Sequence, residues 1–293
     1  MDSIDFSKPL TKGFAYPQDI YAVFYAVGGW ATLHLALHYL TIKPLGQIVY
    51  PASKKSGADS LDLIAKRAKL YQAAWKLVFF SILSGLGMYI LYFESWTFHP
   101  DQYFKGWPNQ DMSDLMRFYY TIELAGYMYS IVLMPFEPKQ YAKDVIAMLI
   151  HHTSTILLLG FSYYYSCHRI GIVIAALHDI SDPFMELAKL VLYAGYHKMA
   201  DVFFAIFALS FIITRNFVFP YYIVMSIPIH AVYAGVPVPT KNLNYAFQAF
   251  LWTLEVLHLY WGFLILKMVK RAIVASGVED DIRNVDEDKV KVE

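Results

Sequence analysis

The chain has 293 residues, of which 57% are hydrophobic, 17% aromatic and only 16% charged, with 24 lysines and arginines balancing 24 aspartates and glutamates. A soluble chain carries about 25% charged residues, so these figures exclude disorder, a disulfide scaffold (Cys167 is the single cysteine) and a nucleic-acid binder working through bulk positive charge. They point to a polytopic membrane protein whose few charges are clustered.

Seven apolar stretches can each cross a hydrocarbon core about 30 Å thick, which takes roughly 20 helical residues. Helices are required, because backbone polar groups in lipid are satisfied only within a segment or in a closed barrel, and the alternating pattern of a barrel is absent. The expected fold class is therefore all-α, with seven transmembrane helices. The first stretch, 19–42, follows a short segment without a basic or apolar leader and is expected to be an uncleaved anchor. Its His34 and His38 lie four apart, a spacing for a metal half-site or for simple interfacial packing. The loop 43–69 is basic, with Lys43, Lys54, Lys55, Lys66, Arg67 and Lys69.

The second stretch is 71–93 and leads into an acidic loop, 94–114, whose one base is Lys105. The third, 115–134, carries Glu123, and Lys139 and Lys143 follow it. The fourth, 145–166, holds His151 and His152, and the fifth, 170–193, holds His178, Asp179, Asp182, Glu186 and Lys189. The sixth, 201–235, contains Arg215 and Asn216 and is interrupted by Pro220 and Pro228. It is too long for one upright helix, so a kinked, tilted span or a span with a re-entrant piece is expected. The seventh, 244–266, places Glu255 and His258 three apart on one face, where they are weaker candidates to line a site.

The segment after it holds Lys267, Lys270, Arg271, Arg283, Lys289 and Lys291, so two segments carry 12 of the 24 basic residues. The positive-inside rule puts the N-terminus in the lumen and the C-terminus in the cytosol. Lys289 and Lys291 stand fifth and third from the end, as in a dilysine retrieval signal of the endoplasmic reticulum, which is read from the cytosol.

Ionisable groups inside a span cost about 2.5–3.5 kcal/mol each on insertion scales and are functional candidates by default. His178, Asp182, Glu186 and Lys189 are spaced 4, 4 and 3 apart, one stripe on a continuous helix. A lone histidine is accounted for by a bond to a neighbouring helix; a whole stripe opposite a double histidine must face a polar interior. At 1.5 Å per residue, His151 and Asp182 come to similar depth, with His178 and Asp179 one turn further in. Pro183 removes a donor and is expected to loosen the helix. Lys189 is expected to snorkel, Arg215 to pair with an acid such as Glu123 or to greet an anion, and Cys167 to be inert. A zinc site on His151, His178 and Asp182 is the metal alternative. A di-iron site is disfavoured, because its HxxHH boxes are missing.

The run from Lys143-Asp144 through His151-His152, Ser162-Tyr163, Arg169-Ile170-Gly171, Leu177-His178-Asp179, Ser181-Asp182, Glu186 and Lys189 resembles the longevity-assurance motif of ceramide synthases, a family of TLC-domain membrane proteins. Ala74-Trp75-Lys76, Arg215 with Pro220, Leu257–Trp261 and the acidic Glu279-Asp280-Asp281 extend the likeness over most of the chain. It is most similar to the plant and protist branch, which lacks a homeobox-like insert; Pro183 and Met185 depart from the usual aliphatics.

The resemblance implies an acyltransferase of the endoplasmic reticulum that moves a fatty acyl group from acyl-CoA to a sphingoid base amine. It implies no cofactor beyond acyl-CoA as co-substrate, membrane lipid as surroundings, a homodimer or regulatory subunit as optional partners, and no nucleic acid. It also implies six helices forming a barrel around a lipid tunnel, with one extra N-terminal helix. The division is then a lumenal segment 1–18, a first helix and basic loop 19–70, a TLC domain 71–266 and a cytosolic tail 267–293. His151 is the expected acyl acceptor or general base, oriented by Asp182, with His178 and Asp179 handling the amine and His152 in support. Arg215, Glu186 and Asn216 are the expected substrate-binding residues. The rival readings are a non-catalytic lipid sensor of the same fold and a transporter using the histidines and acids as a proton relay, although no inverted repeat is present.

Overall fold

A computed structural model describes residues 17–51, 58–137, 145–225 and 241–275. The elements are α1 (Pro17–Leu37), which continues through a π-helical turn (His38–Ile42) into α2 (Lys43–Val49); α3 (Ala58–Phe93); α4 (Asp114–Leu133); α5 (Val145–Tyr164); α6 (His168–Asp179); α7 (Asp182–Tyr193); α8 (His197–Phe211), continued by a π-helical segment (Ile212–Val224); and α9 (Lys241–Ala275). Among the described residues there is no strand. Five helical stretches are long and apolar enough to cross a membrane: Gln18–Val49, Leu61–Phe93, Val145–Tyr164, His197–Val224 and Tyr245–Val274. The remaining two expected spans fall on α4, which is tyrosine-rich and carries Arg117 and Glu123, and on the broken pair α6–α7.

Helix ends differ from the apolar stretches in a consistent direction. α3 begins at Ala58 rather than 71, and α9 runs on to Ala275 rather than ending at 266. Apolar counting finds only the part in hydrocarbon, whereas helical hydrogen bonding continues into the interface, where charged side chains are hydrated. The exposed Asp62–Lys66 pair, four apart at 2.8 Å, supports the extension of α3.

The fifth stretch is a correction. His178, Asp182, Glu186 and Lys189 do not share one continuous helix, because the segment is broken between Asp179 and Asp182. Pro183, at the start of α7, has no N–H to offer the preceding turn. Ile180 and Ser181 keep right-handed helical dihedrals (φ, ψ of −59°, −30° and −85°, −29°), so the chain bends without turning back. α3 accordingly packs along both halves. α7 ends in a Schellman closure: Gly195 takes φ +88°, and Tyr196 N–H reaches the Val191 carbonyl at 2.9 Å.

The sixth stretch is α8 followed by wide i→i+5 turns through Pro220. The choice of a re-entrant piece around Pro228 lies outside the described residues. So do Lys54 and Lys55, Lys139, Lys143 and Asp144, the segment before 17 and the tail with Lys289 and Lys291.

Polarity is inverted relative to a soluble protein. Phe24, Leu40, Tyr92, Leu209, Phe217 and Phe263 are exposed, while Glu123, His151, His178, Asp179, Glu186, Arg215, Glu255 and His258 are buried. This suits a lipid exterior and a polar interior. α1 lies against α4 and α3 through an aromatic cluster: Trp30 donates to the Ile122 carbonyl at 3.0 Å, and His34 stacks on Trp75 at 4.1 Å and bonds Tyr129 at 2.8 Å. His34 is thus a packing residue. α3 meets α4, α4 meets α5, α5 meets α9, α9 meets α8, α8 meets α7 and α7 meets α3.

The loop 94–113 is ordered over the corner where α5 gives way to α6. Trp107 Nε1 donates to the Tyr165 carbonyl at 2.8 Å, and Arg169 donates to the Gln102 carbonyl at 2.9 Å. The buried Tyr103 hydroxyl donates to the Thr97 carbonyl at 2.8 Å, and burial pushes its phenol up to about 12. Burial also pushes the Cys167 thiol up to about 12, so it stays protonated and unreactive near neutrality.

Candidate functional site

α5 carries His151 and His152 nearly two turns past its start at Val145, both buried. Tyr127 of α4 lies beside them, its ring 5.4 Å from His152 and 6.2 Å from His151. α6 brings the His178 ring to 5.9 Å from His151. His178 Nδ1 is 2.6 Å from the carbonyl of Ile174, one turn back. A carbonyl only accepts, so Nδ1 carries the proton and Nε2 is left as a lone-pair acceptor. That nitrogen is buried and has no partner, and the same holds for His151 Nδ1.

The break after α6 turns Asp182 toward Arg215. The Arg215 guanidinium donates to Asp182 Oδ1 at 2.7 Å and to the carbonyl of His178, and stacks over Phe211 at 4.7 Å. Arg215 therefore pairs with Asp182, not with Glu123. Proximity on different helices decides this: the π-helical segment packs on α6, and Asp182 is the acid presented at the bend. One donor, Arg215 Nε, is buried and unused. The Asp182 carboxylate, which also accepts from Ser181 at 3.1 Å, is engaged with Arg215 and leaves His151 Nδ1 without a partner.

The other expected residues are placed as follows. Asp179 points away from His178; its carboxylate lies against Glu123 of α4 and accepts from Tyr127 at 3.5 Å. Glu186 is buried one turn further along α7 and is bonded by Lys189 at 3.0 Å, so Lys189 closes an ion pair instead of snorkelling. Asn216 donates to the His258 carbonyl at 3.2 Å, an approach that Gly262 permits, since a Cβ there would collide with the Asn216 amide. Among the described residues no three His, Cys, Asp or Glu side chains are grouped to hold a metal ion, so the geometry gives the zinc alternative no ligand set.

α9 supplies groups that the sequence ranks low. His258 is fully buried, with its ring 4.7 Å from His178 and 6.4 Å from His151. Its Nδ1 lies 3.7 Å from Glu255, and Trp261 stands edge-on to His151 at 5.4 Å. The signal for Glu255 and His258 is their i, i+3 spacing in an apolar span. What the sequence lacks is the rotation of α9 that aims them at α5 and α6. Three imidazoles from three helices thus meet beside one guanidinium–carboxylate pair, an arrangement able to accept protons, attack a carbonyl carbon and stabilise an oxyanion.

The TLC-domain family profile matches residues 69–267, which include every side chain of this cluster. The chain is 33% identical to ASC1-like protein 3 of Oryza sativa subsp. japonica, over 89% of this chain and 93% of the relative. It is 34% identical to ceramide synthase LOH2 of Arabidopsis thaliana, over 91% of each chain. It is 33% identical to ceramide synthase 3 of Homo sapiens, over 75% of this chain and 56% of the relative.

Proposed function

Because the chain belongs to the ceramide synthase family of TLC-domain membrane proteins, we infer that it transfers a fatty acyl group from acyl-CoA to the amine of a sphingoid base, releasing a ceramide and free CoA. The observation that carries the mechanism is the buried meeting of His151 and His178, 5.9 Å apart, beside the Arg215–Asp182 pair.

In this reading His151 attacks the thioester carbonyl carbon and holds the acyl group, or acts as the base for direct attack. The unused Arg215 Nε donates to the developing oxyanion, with Asp182 holding the guanidinium in place. His178 Nε2 accepts a hydrogen bond from the incoming amine. Asp179 and Glu186 support this constellation from behind, Asn216 braces α9, and His152 packs on Tyr127. No cofactor beyond the acyl-CoA co-substrate is invoked.

The same reading has seven spans, with α4 as one and α6–α7 as a single bent one. Six of them enclose a lipid tunnel, supported by the successive packing of α3, α4, α5, α9, α8 and α7; α1 lies outside. The TLC unit is 71–266, the enzyme resides in the endoplasmic reticulum membrane, and the N-terminus is lumenal and the C-terminus cytosolic. The charge asymmetry between the loops 43–69 and 94–114 supports that orientation.

The test is thiol release by the detergent-purified chain given acyl-CoA and sphinganine, with the N-acyl product identified by mass spectrometry. Release that needs both substrates and is abolished by His151→Ala and by Asp182→Asn is expected. Folded wild-type protein without turnover would favour the sensor or transporter and overturn the reading. Separately, a His151→Ala protein that is still acylated by acyl-CoA alone would remove His151 as the acyl acceptor.

A further inference from the structure

We propose that His258, paired with Glu255, is the base that takes the proton from the attacking amine. The inference rests on the acyltransfer reading above and goes beyond it by separating the acyl-accepting histidine from the proton-accepting one.

Three observations carry it. His258 is fully buried, yet neither ring nitrogen has a partner, and Glu255 Oε2 is likewise buried and unpartnered. Buried polar groups are costly to leave unsatisfied, so these atoms call for a polar occupant beside them. Next, Glu255 and His258 are a histidine–carboxylate pair, 3.7 Å apart, which a small side-chain rotation brings into hydrogen-bond contact. By contrast, His178 is already bonded to the Ile174 carbonyl, and Asp179 is turned to Glu123 and Tyr127, so the sequence-adjacent His178-Asp179 does not form such a pair. Finally, the His258 ring lies 4.7 Å from His178 and 6.4 Å from His151, within one substrate headgroup of the acyl-accepting ring.

The groups facing His258 are His151 from α5, His178 from α6, Arg215 from the π-helical segment and Glu255 on its own helix, with Phe211 and Phe219 closing the sides.

The protons balance. In the first step a His151 nitrogen bonds to the acyl carbon, the carbon–sulfur bond breaks and CoA leaves as thiolate. In the second step the neutral amine bonds to the acyl carbon, the bond to His151 breaks and His151 returns to neutral imidazole. The proton lost by the amine goes to His258, and Glu255 stabilises the imidazolium. Release of that proton to CoA thiolate restores the starting state.

The experiment uses the purified full-length chain and its His258→Gln variant, with Glu255→Gln as a second variant that leaves the imidazole in place. Acylation by acyl-CoA alone is read by intact mass, and transfer to sphinganine is followed from about pH 7 to about pH 9, where such an amine deprotonates. Acylation is expected within about threefold of wild type, while transfer at neutral pH falls about 100-fold in His258→Gln and about tenfold in Glu255→Gln. The deficit should shrink as pH rises, because base from solution then takes the proton that the variant no longer accepts. Transfer at the wild-type rate, or a deficit equal at every pH, overturns the proposal. If His258→Gln does not fold, Glu255→Gln is read by the same criteria. If wild type turns over without becoming acylated, only the covalent route fails, and the pH-dependent deficit is read on the overall reaction. If wild type does not turn over, the acyltransfer reading itself fails.

Discussion

At the scale of single residues, the site is organised by Arg215. Its guanidinium joins the end of α6 to the start of α7 through the His178 carbonyl and the Asp182 carboxylate. Removing one member of a buried ion pair leaves the other uncompensated, at a cost of about 3–5 kcal/mol. Arg215→Met is therefore expected to lower the thermal midpoint in detergent and abolish turnover. The double variant Arg215→Met with Asp182→Leu should regain most of the midpoint and none of the activity. Scanning calorimetry or a thermal-shift assay beside the thiol-release assay checks both arms. Arg215 and Asp182 are individually conspicuous in the sequence as charges in apolar spans. Their pairing is not, because Glu123 is an equally plausible acid until the helices are placed.

At the scale of elements, the bend between α6 and α7 matters more than either helix. Pro183 cannot donate to the Asp179 carbonyl, so the turn that would unite the two halves is missing. Pro183→Ala restores that donor. It is expected to straighten the segment, swing Asp182 away from Arg215 and cut turnover at least about tenfold while the protein stays folded. Circular dichroism and turnover measured on the same preparation decide this.

The loop 94–113 makes a second, independent prediction. Tyr103 has its phenol raised from 10 to about 12 by burial, so the folded state keeps the proton that the unfolded state loses. The stabilisation is complete below pH 10 and is lost as the pH rises toward about 12. Tyr103→Phe should flatten that alkaline fall, and should cost about 1 kcal/mol at neutral pH through the lost bond to the Thr97 carbonyl. Thermal midpoints measured across alkaline pH test the sign. Such a cap is invisible in the sequence, where the same residues form an acidic loop with scattered aromatics.

At the scale of the whole molecule, apolar side chains face outward and ionisable ones inward. The orientation in the membrane then depends on the distribution of basic residues between loops. The chain contains no N-x-[ST] sequon, so an introduced one reports without background. A sequon engineered into the loop 94–113 is expected to be glycosylated in microsomes, and one placed beyond Ala275 is not. The reverse pattern would invert the topology.

Much of this was legible without coordinates. Composition alone determines a membrane protein; the apolar stretches determine roughly where its helices lie; the whole run of motif residues from Lys143 to Lys189 carries the family resemblance. These are properties of residues near one another along the chain, and spacing along the chain is what a sequence records. The tertiary structure decided which polar groups meet: Arg215 with Asp182, Asp179 with Glu123, and His258 with the two histidines of α5 and α6. Those contacts depend on the rotation of each helix about its axis and on a bend of two residues. Rotation is set by packing against neighbours that are distant in sequence, so no local pattern contains it.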